Sequence, residues 1–166
     1  MLRIAKLPRF VFGIALLLSA HLAAAQTAAA PANSRPPHDE AMLAAIAKAQ
    51  ASFDKFLALS AKPPKGSGNY MVKIEVTTGN RIRRVWVNEV QKTPEGFTGL
   101  AFAAIDDPEQ ELVANEQVVF RRGDITDWMY THKNRQVGGY TICAALAKHP
   151  PAARREQMQM YRLDCK

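Results

Sequence analysis

The chain is predicted to form an α+β domain: an N-terminal helix packed on a bent antiparallel sheet of about five strands, followed by short C-terminal helices. Three observations predict this. Apolar residues recur at helical spacing from Met42 to Phe56. Between Tyr70 and Tyr130 they alternate in short runs separated by turn residues. No long helical pattern stands between consecutive strands, so the connections are hairpins and the sheet is antiparallel.

The first residues read as an address rather than as fold. Arg3, Lys6 and Arg9 precede an apolar run, Phe10 to Leu22, which ends in Ala23-Ala24-Ala25. That order is the pattern of a secretory signal peptide over residues 1–25, with cleavage before Gln26. The run is too short and too rich in small residues at its end to anchor stably in a membrane after cleavage. No cysteine follows the cleavage point, which argues against a lipoprotein. In a bacterium the destination is the periplasm or the medium. Residues 26–38, rich in alanine and proline, can bury almost nothing and read as a disordered leader. Residues 39–166 then form one domain with a real core. Removing Arg3, Lys6 and Arg9 lowers the net charge from +7 to +4. This modest charge and the compartment argue against nucleic acid as a partner.

In order, Met42, Ile46, Ala49, Phe53 and Phe56 line one side of a helix that Asp39 caps and Pro63-Pro64 ends. Tyr70, Val72, Ile74 and Val76 form the buried face of a first strand. Thr78-Gly79-Asn80 turns the chain into a return strand over Arg83 to Val90, with Val85 and Val87 on one face and Trp86 and Val90 on the other. Phe97 to Ala104 is a third strand, in which Gly99 marks a bulge or a close approach. Asp106-Asp107-Pro108 breaks that run and opens an acidic stretch through Glu111. Gln117 to Phe120 is a fourth strand. Ile125 to Tyr130 is a fifth, with Thr126, Trp128 and Tyr130 facing one way. His132 to Gln136 reads as a polar turn. After Gly138-Gly139 come two short helices, Thr141 to Lys148 with Thr141 as its cap, and Ala152 to about Met160.

Cys143 and Cys165 are the two cysteines of the chain. An even pair in an oxidising compartment reads as one structural disulfide, for which the chain-entropy estimate is about 3 kcal/mol. The close spacing of a redox or metal pair is absent.

Chemistry is densest between Gly123 and Thr141. Asp124 and Asp127 suggest acid–base work, which needs two carboxyls that converge on a substrate. Residues three apart on a strand point to opposite faces, and an aspartate after a turn glycine more readily accepts local backbone hydrogen bonds. Asp124, Asp127, His132 and His149 match no metal-ligand spacing, and no serine sits in a nucleophile elbow. No catalytic residue, metal site or cofactor is therefore assigned. Gly138-Gly139 before a helix suits an anion-binding nest or a turn needing positive φ. Trp128, Tyr130 and Tyr140 suit a half-exposed groove. Trp128 fits core and groove equally well, whereas Trp86 reads as core. The pairs Arg83-Arg84, Arg121-Arg122 and Arg154-Arg155 read as solvated surface unless the fold gathers them.

The order from Met42 to Thr141 resembles the bacterial family known as domain of unknown function 2314. The matching features are the helix with Phe53 and Phe56, the strand carrying Lys73, and the strand centred on Trp86-Val87. Gly96-Phe97-x-Gly99 and Val118-x-Phe120 follow. The specific block is Gly123-Asp-Ile-x-Asp-Trp-x-Tyr130 with Gly138-Gly-Tyr-Thr141. The cysteine pair lies outside that pattern. The resemblance implies no reaction.

The functional expectation is a periplasmic or secreted, non-enzymatic binding module, of inhibitor or immunity-like type, with a protein or envelope component as partner. Its candidate binding residues are Asp124, Asp127, Trp128, Tyr130, Gly138, Gly139, Tyr140 and Thr141. The alternative is an envelope-acting enzyme using Asp124 and Asp127 as acid–base groups.

Overall fold

The structure, a computed structural model, describes residues 38–78, 81–102 and 115–165. The predicted signal peptide, nearly all of the predicted leader and the acidic stretch lie outside the described residues. Among these, no helix is long and apolar enough to cross a membrane.

Helix α1 spans Glu40–Ala61. Asp39 starts it, its side chain accepting the Met42 N–H at 2.9 Å, as the sequence predicts. A hydrogen-bonded ion pair with Lys148 holds the Asp39 carboxyl below the usual carboxylate value, with the Met42 amide adding to that effect.

Six strands follow: β1 Ser67–Thr78, β2 Arg81–Thr93, β3 Gly96–Phe102, β4 Gln117–Phe120, β5 Ile125–His132 and β6 Arg135–Gly138. They form one sheet in the order β4-β3-β2-β1-β5-β6, and every pairing is antiparallel. Strand β6 corrects the expectation that His132 to Gln136 is a turn, which rests on the polarity of those residues. The turn is Lys133-Asn134 alone, both in left-handed conformation, and the polar residues after it form a short edge strand. Edge strands carry polar residues without penalty, so alternation does not reveal them.

Helix α1 covers one face of the sheet. Phe53 and Phe56 are fully buried, as are Ala49 beside them and Val72, Ile74, Val87 and Ile125 on the strands. Each such large side chain contributes about 1.5–3 kcal/mol by leaving water. Phe53 meets Phe97 edge-on at 5.4 Å between ring centroids, and Phe97 stacks on Phe120. Gly99 is a close approach, since a Cβ there would lie 2.3 Å from Val87 Cγ1. Val90 corrects the predicted face. A break in the β2–β3 register between Asn88 and Gln91, with Glu89 at φ 49°, turns Val90 into the core beside Val87. Trp86 stays on the opposite face, half-buried, paired across the strands with Lys73, whose Nζ lies 5.8 Å from the ring centroid.

The chain closes with α2 (Tyr140–Leu146), α3 (Pro151–Met160) and a tail. Leu163 bridges to Gln136, and the Gln136 N–H donates to the Arg162 carbonyl at 3.0 Å. The tail therefore covers the outer edge of β6. The expected Cys143–Cys165 disulfide is present, with 5.4 Å between Cα atoms, and ties that tail to α2. Replacing both cysteines by serine is expected to cost about 3 kcal/mol. It should also speed hydrogen exchange at the Gln136 amide. Unchanged urea midpoint and exchange would show that the bond stabilises neither the fold nor its edge.

Candidate functional site

The site grows from a bulge in β5. Lys73 pairs with Asp127 and Ile74 with Ile125, so Thr126 is an extra residue without an opposite number. Its hydroxyl donates to the Lys73 carbonyl at 3.3 Å. The bulge corrects the expected facing at Thr126 alone: Ile125 takes the core position before it, while Trp128 and Tyr130 share a face as expected.

Just past the bulge, Asp127 is fully buried and still fully hydrogen-bonded. Its Oδ1 accepts the N–H groups of Trp128 at 2.8 Å and Tyr140 at 3.0 Å. Its Oδ2 accepts the Thr141 N–H at 2.8 Å and the Thr141 hydroxyl at 2.6 Å. Burial pushes the carboxyl above its ordinary value, while the Thr141 hydroxyl and the three amides pull it back.

The reason lies in Gly138-Gly139. Both are left-handed, at φ 89° and 69°, and together they turn β6 directly into α2. Gly139 is the residue that begins α2, and it has no side chain to satisfy the first amides. Asp127 does so from another strand. Thr141 is thus not the cap, as the sequence suggests, but a donor to it. The first amides of α2, those of Tyr140 and Thr141, are thus taken by the protein's own carboxylate, while the Gly139 N–H donates to the Trp128 carbonyl at 2.9 Å.

Trp128 is 4% exposed, which decides the open choice in favour of core. Its ring N–H donates to the Ala49 carbonyl at 3.0 Å and the Ser52 hydroxyl at 3.2 Å, tying β5 to α1. Tyr140 packs edge-on against Trp128 at 5.3 Å, and Tyr130 stacks on Tyr70 at 4.9 Å. Burial first, then the neighbouring Tyr70 and Tyr140 phenols, push the Tyr130 hydroxyl above its ordinary value.

Asp124 lies elsewhere, in a short 3-10 turn, Arg122–Asp124, where its carboxylate accepts the Arg121 N–H at 2.7 Å. Asp124 and Asp127 are therefore engaged at different places. Nor do the arginine pairs gather: Arg84 binds Glu75, Arg122 binds Asp54, and Arg155 sits on α3. Among the described residues no three His, Cys, Asp or Glu side chains group as a metal site.

Beside Asp127, a groove of about 630 Å³ opens between α1, the β5–β6 hairpin and α2. Gly138 and Tyr140 of the predicted set line it. Ala44, Ala45 and Val137 supply apolar wall, and the Cys143–Cys165 bridge closes one part of it. Lys48, Lys133 and Arg135 bring positive charge against the single carboxylate of Asp164. Lys48 Nζ stands 4.9 Å from the Tyr140 ring centroid, a cation–π contact. Sequence reasoning misses Lys48, Lys133 and Arg135. Lys48 sits on the polar side of α1, and nothing local joins it to a tyrosine far along the chain.

Residues 39–164 match the model of a bacterial family described as an uncharacterised protein conserved in bacteria, domain of unknown function 2314. The chain is also 31% identical over 115 residues to the uncharacterised protein YegJ of Escherichia coli (strain K12), covering 67% of this chain and 71% of that one. No solved structure matches it. The family match spans nearly all of the described domain, including Asp127 and the Gly-Gly turn it caps, and the chain belongs to the domain of unknown function 2314 family.

Proposed function

We propose that this protein is a non-enzymatic binding module of the periplasm or cell exterior, which takes an acidic, extended segment of a protein partner into the α1–hairpin groove. The groove itself carries the reading: an apolar floor rimmed by Lys48, Lys133 and Arg135 suits a chain that offers carboxylates around an apolar anchor. Asp127, the acid–base candidate of the alternative reading, supports binding over catalysis. Both its oxygens are occupied by donors that hold α2 in place. Tyr140 and Gly138 are the predicted residues that reach the groove. Asp127, Trp128, Tyr130, Gly139 and Thr141 belong to the elements around it, whereas Asp124 lies elsewhere.

A photo-reactive side chain installed at Ala44, which is exposed on the groove, tests the idea in cells. The expected result is one reproducible cross-linked protein, absent when the probe stands at exposed Gln91 on β2. With that protein purified, Lys48→Glu is expected to weaken binding by roughly tenfold. Equal cross-linking from Ala44 and Gln91 would end this reading.

A further inference from the structure

On the far side of the Lys133–Arg135 ridge lies a second cleft, of about 560 Å³, between the β5–β6 turn, α3 and the tail. Its lining is mainly cationic: Lys133, Arg135, Arg155 and Arg162 against Asp164. Arg135 is partly neutralised, since its Nη2 stands 3.5 Å from Asp164 Oδ2. Lys133 and Arg155 have no carboxylate partner among the described residues. The apolar groups at the cleft are Met158 and Leu163, the latter 5% exposed.

The cleft is also held in shape. Lys133 and Asn134 form a tight left-handed turn, and Arg162, itself at φ 53°, donates from its guanidinium to the Asn134 side chain. The Gln136–Arg162 backbone bond and the disulfide at Cys165 fix the tail that carries Arg162. Cationic side chains borne on a braced frame lose less freedom on binding than those on loose loops.

We infer that this cleft is a phosphate-binding site, in which Arg155 and Arg162 grip the oxygens of a phosphate or diphosphate group and Lys133 adds a third cation. Guanidinium groups match phosphate oxygens through paired N–H donors, and an ammonium adds a point charge. A lone carboxylate has two oxygens for three cations. A diphosphate has enough to engage all of them, and the cleft has room for it. The phosphate belongs either to a soluble molecule or to a lipid headgroup.

The test uses the full chain as purified from expressing cells, titrated with inorganic pyrophosphate at constant ionic strength and followed by backbone amide NMR. The expected result is saturable shifts at Lys133 to Arg135, Arg155 and Arg162, with affinity about tenfold weaker in Arg155→Gln. Arg162→Gln removes the bond to Asn134 and can disturb the turn, so the decision rests on Arg155. Arg83→Gln on β2 serves as the charge-matched control and should bind as the parent does. A parallel sedimentation with phosphatidylglycerol vesicles and with neutral phosphatidylcholine vesicles separates the sources. Arg155-dependent binding to the anionic vesicles assigns the phosphate to a headgroup, and binding of pyrophosphate alone assigns it to a soluble ligand. No saturable binding in either arm, or equal loss in Arg155→Gln and Arg83→Gln, overturns the inference. Neither arm involves Ala44 or Lys48, so its failure leaves the groove reading standing.

Discussion

Asp127→Ala is expected to lower the unfolding free energy by about 2–4 kcal/mol, because it strands three amides and one hydroxyl in a buried place. At this chain length that is roughly a 10 °C fall in Tm. Asp127→Asn keeps an acceptor but turns an NH2 group toward donors, and should lose about half as much. The damage should centre on α2, with faster amide exchange at Tyr140 and Thr141. The pH dependence has a definite sign. Burial raises the folded carboxyl above 3.8, so the folded chain holds this proton more tightly than the unfolded chain. Stability tied to Asp127 is then full below pH 3.8 and declines as pH rises through the folded value. The gap between the parent and Asp127→Asn in urea midpoint should therefore be widest in acid and narrow toward neutrality. A gap that widens toward neutrality would mean that the four donors outweigh burial.

Gly138→Ala is expected to cost about 2–4 kcal/mol, combining a left-handed backbone with overpacking. A Cβ at Gly138 would lie 2.2 Å from the Trp128 carbonyl oxygen and 2.7 Å from its ring. Neither a backbone oxygen nor a core tryptophan can move aside cheaply. Gly123→Ala is the control: nothing lies within 4 Å of the place its methyl would take, and the change should stay within about 0.5 kcal/mol. Near-ultraviolet circular dichroism would follow the Trp128 environment in both. Equal Tm values for the two variants would show that the turn tolerates a side chain.

Much of the fold is legible in the sequence because its signals are local. The helical stripe ending at Phe53 and Phe56, the alternation from Tyr70 to Val76 and the Asp39 cap each depend on residues a few positions apart. Gly99 is legible as a close approach because a strand interior rarely accepts glycine without one. Val90 is not, since a single left-handed residue at Glu89 shifts the alternation and brings an expected outward residue inside. Strand β6 escapes for a different reason: an edge strand in contact with solvent needs no apolar period.

The candidate site divides in the same way. Aspartates, aromatics and paired glycines between Gly123 and Thr141 can be recognised as one block from their order alone. Which of them meet cannot. The sequence by itself determined the α+β class, the antiparallel sheet, the cysteine pairing and the family. Only the tertiary structure decided that Asp127 caps a helix it does not belong to, that Trp128 is core, and that Lys48 stands over Tyr140. Periodicity records which way a side chain points from its own element, whereas a contact across the chain depends on how the elements are packed together.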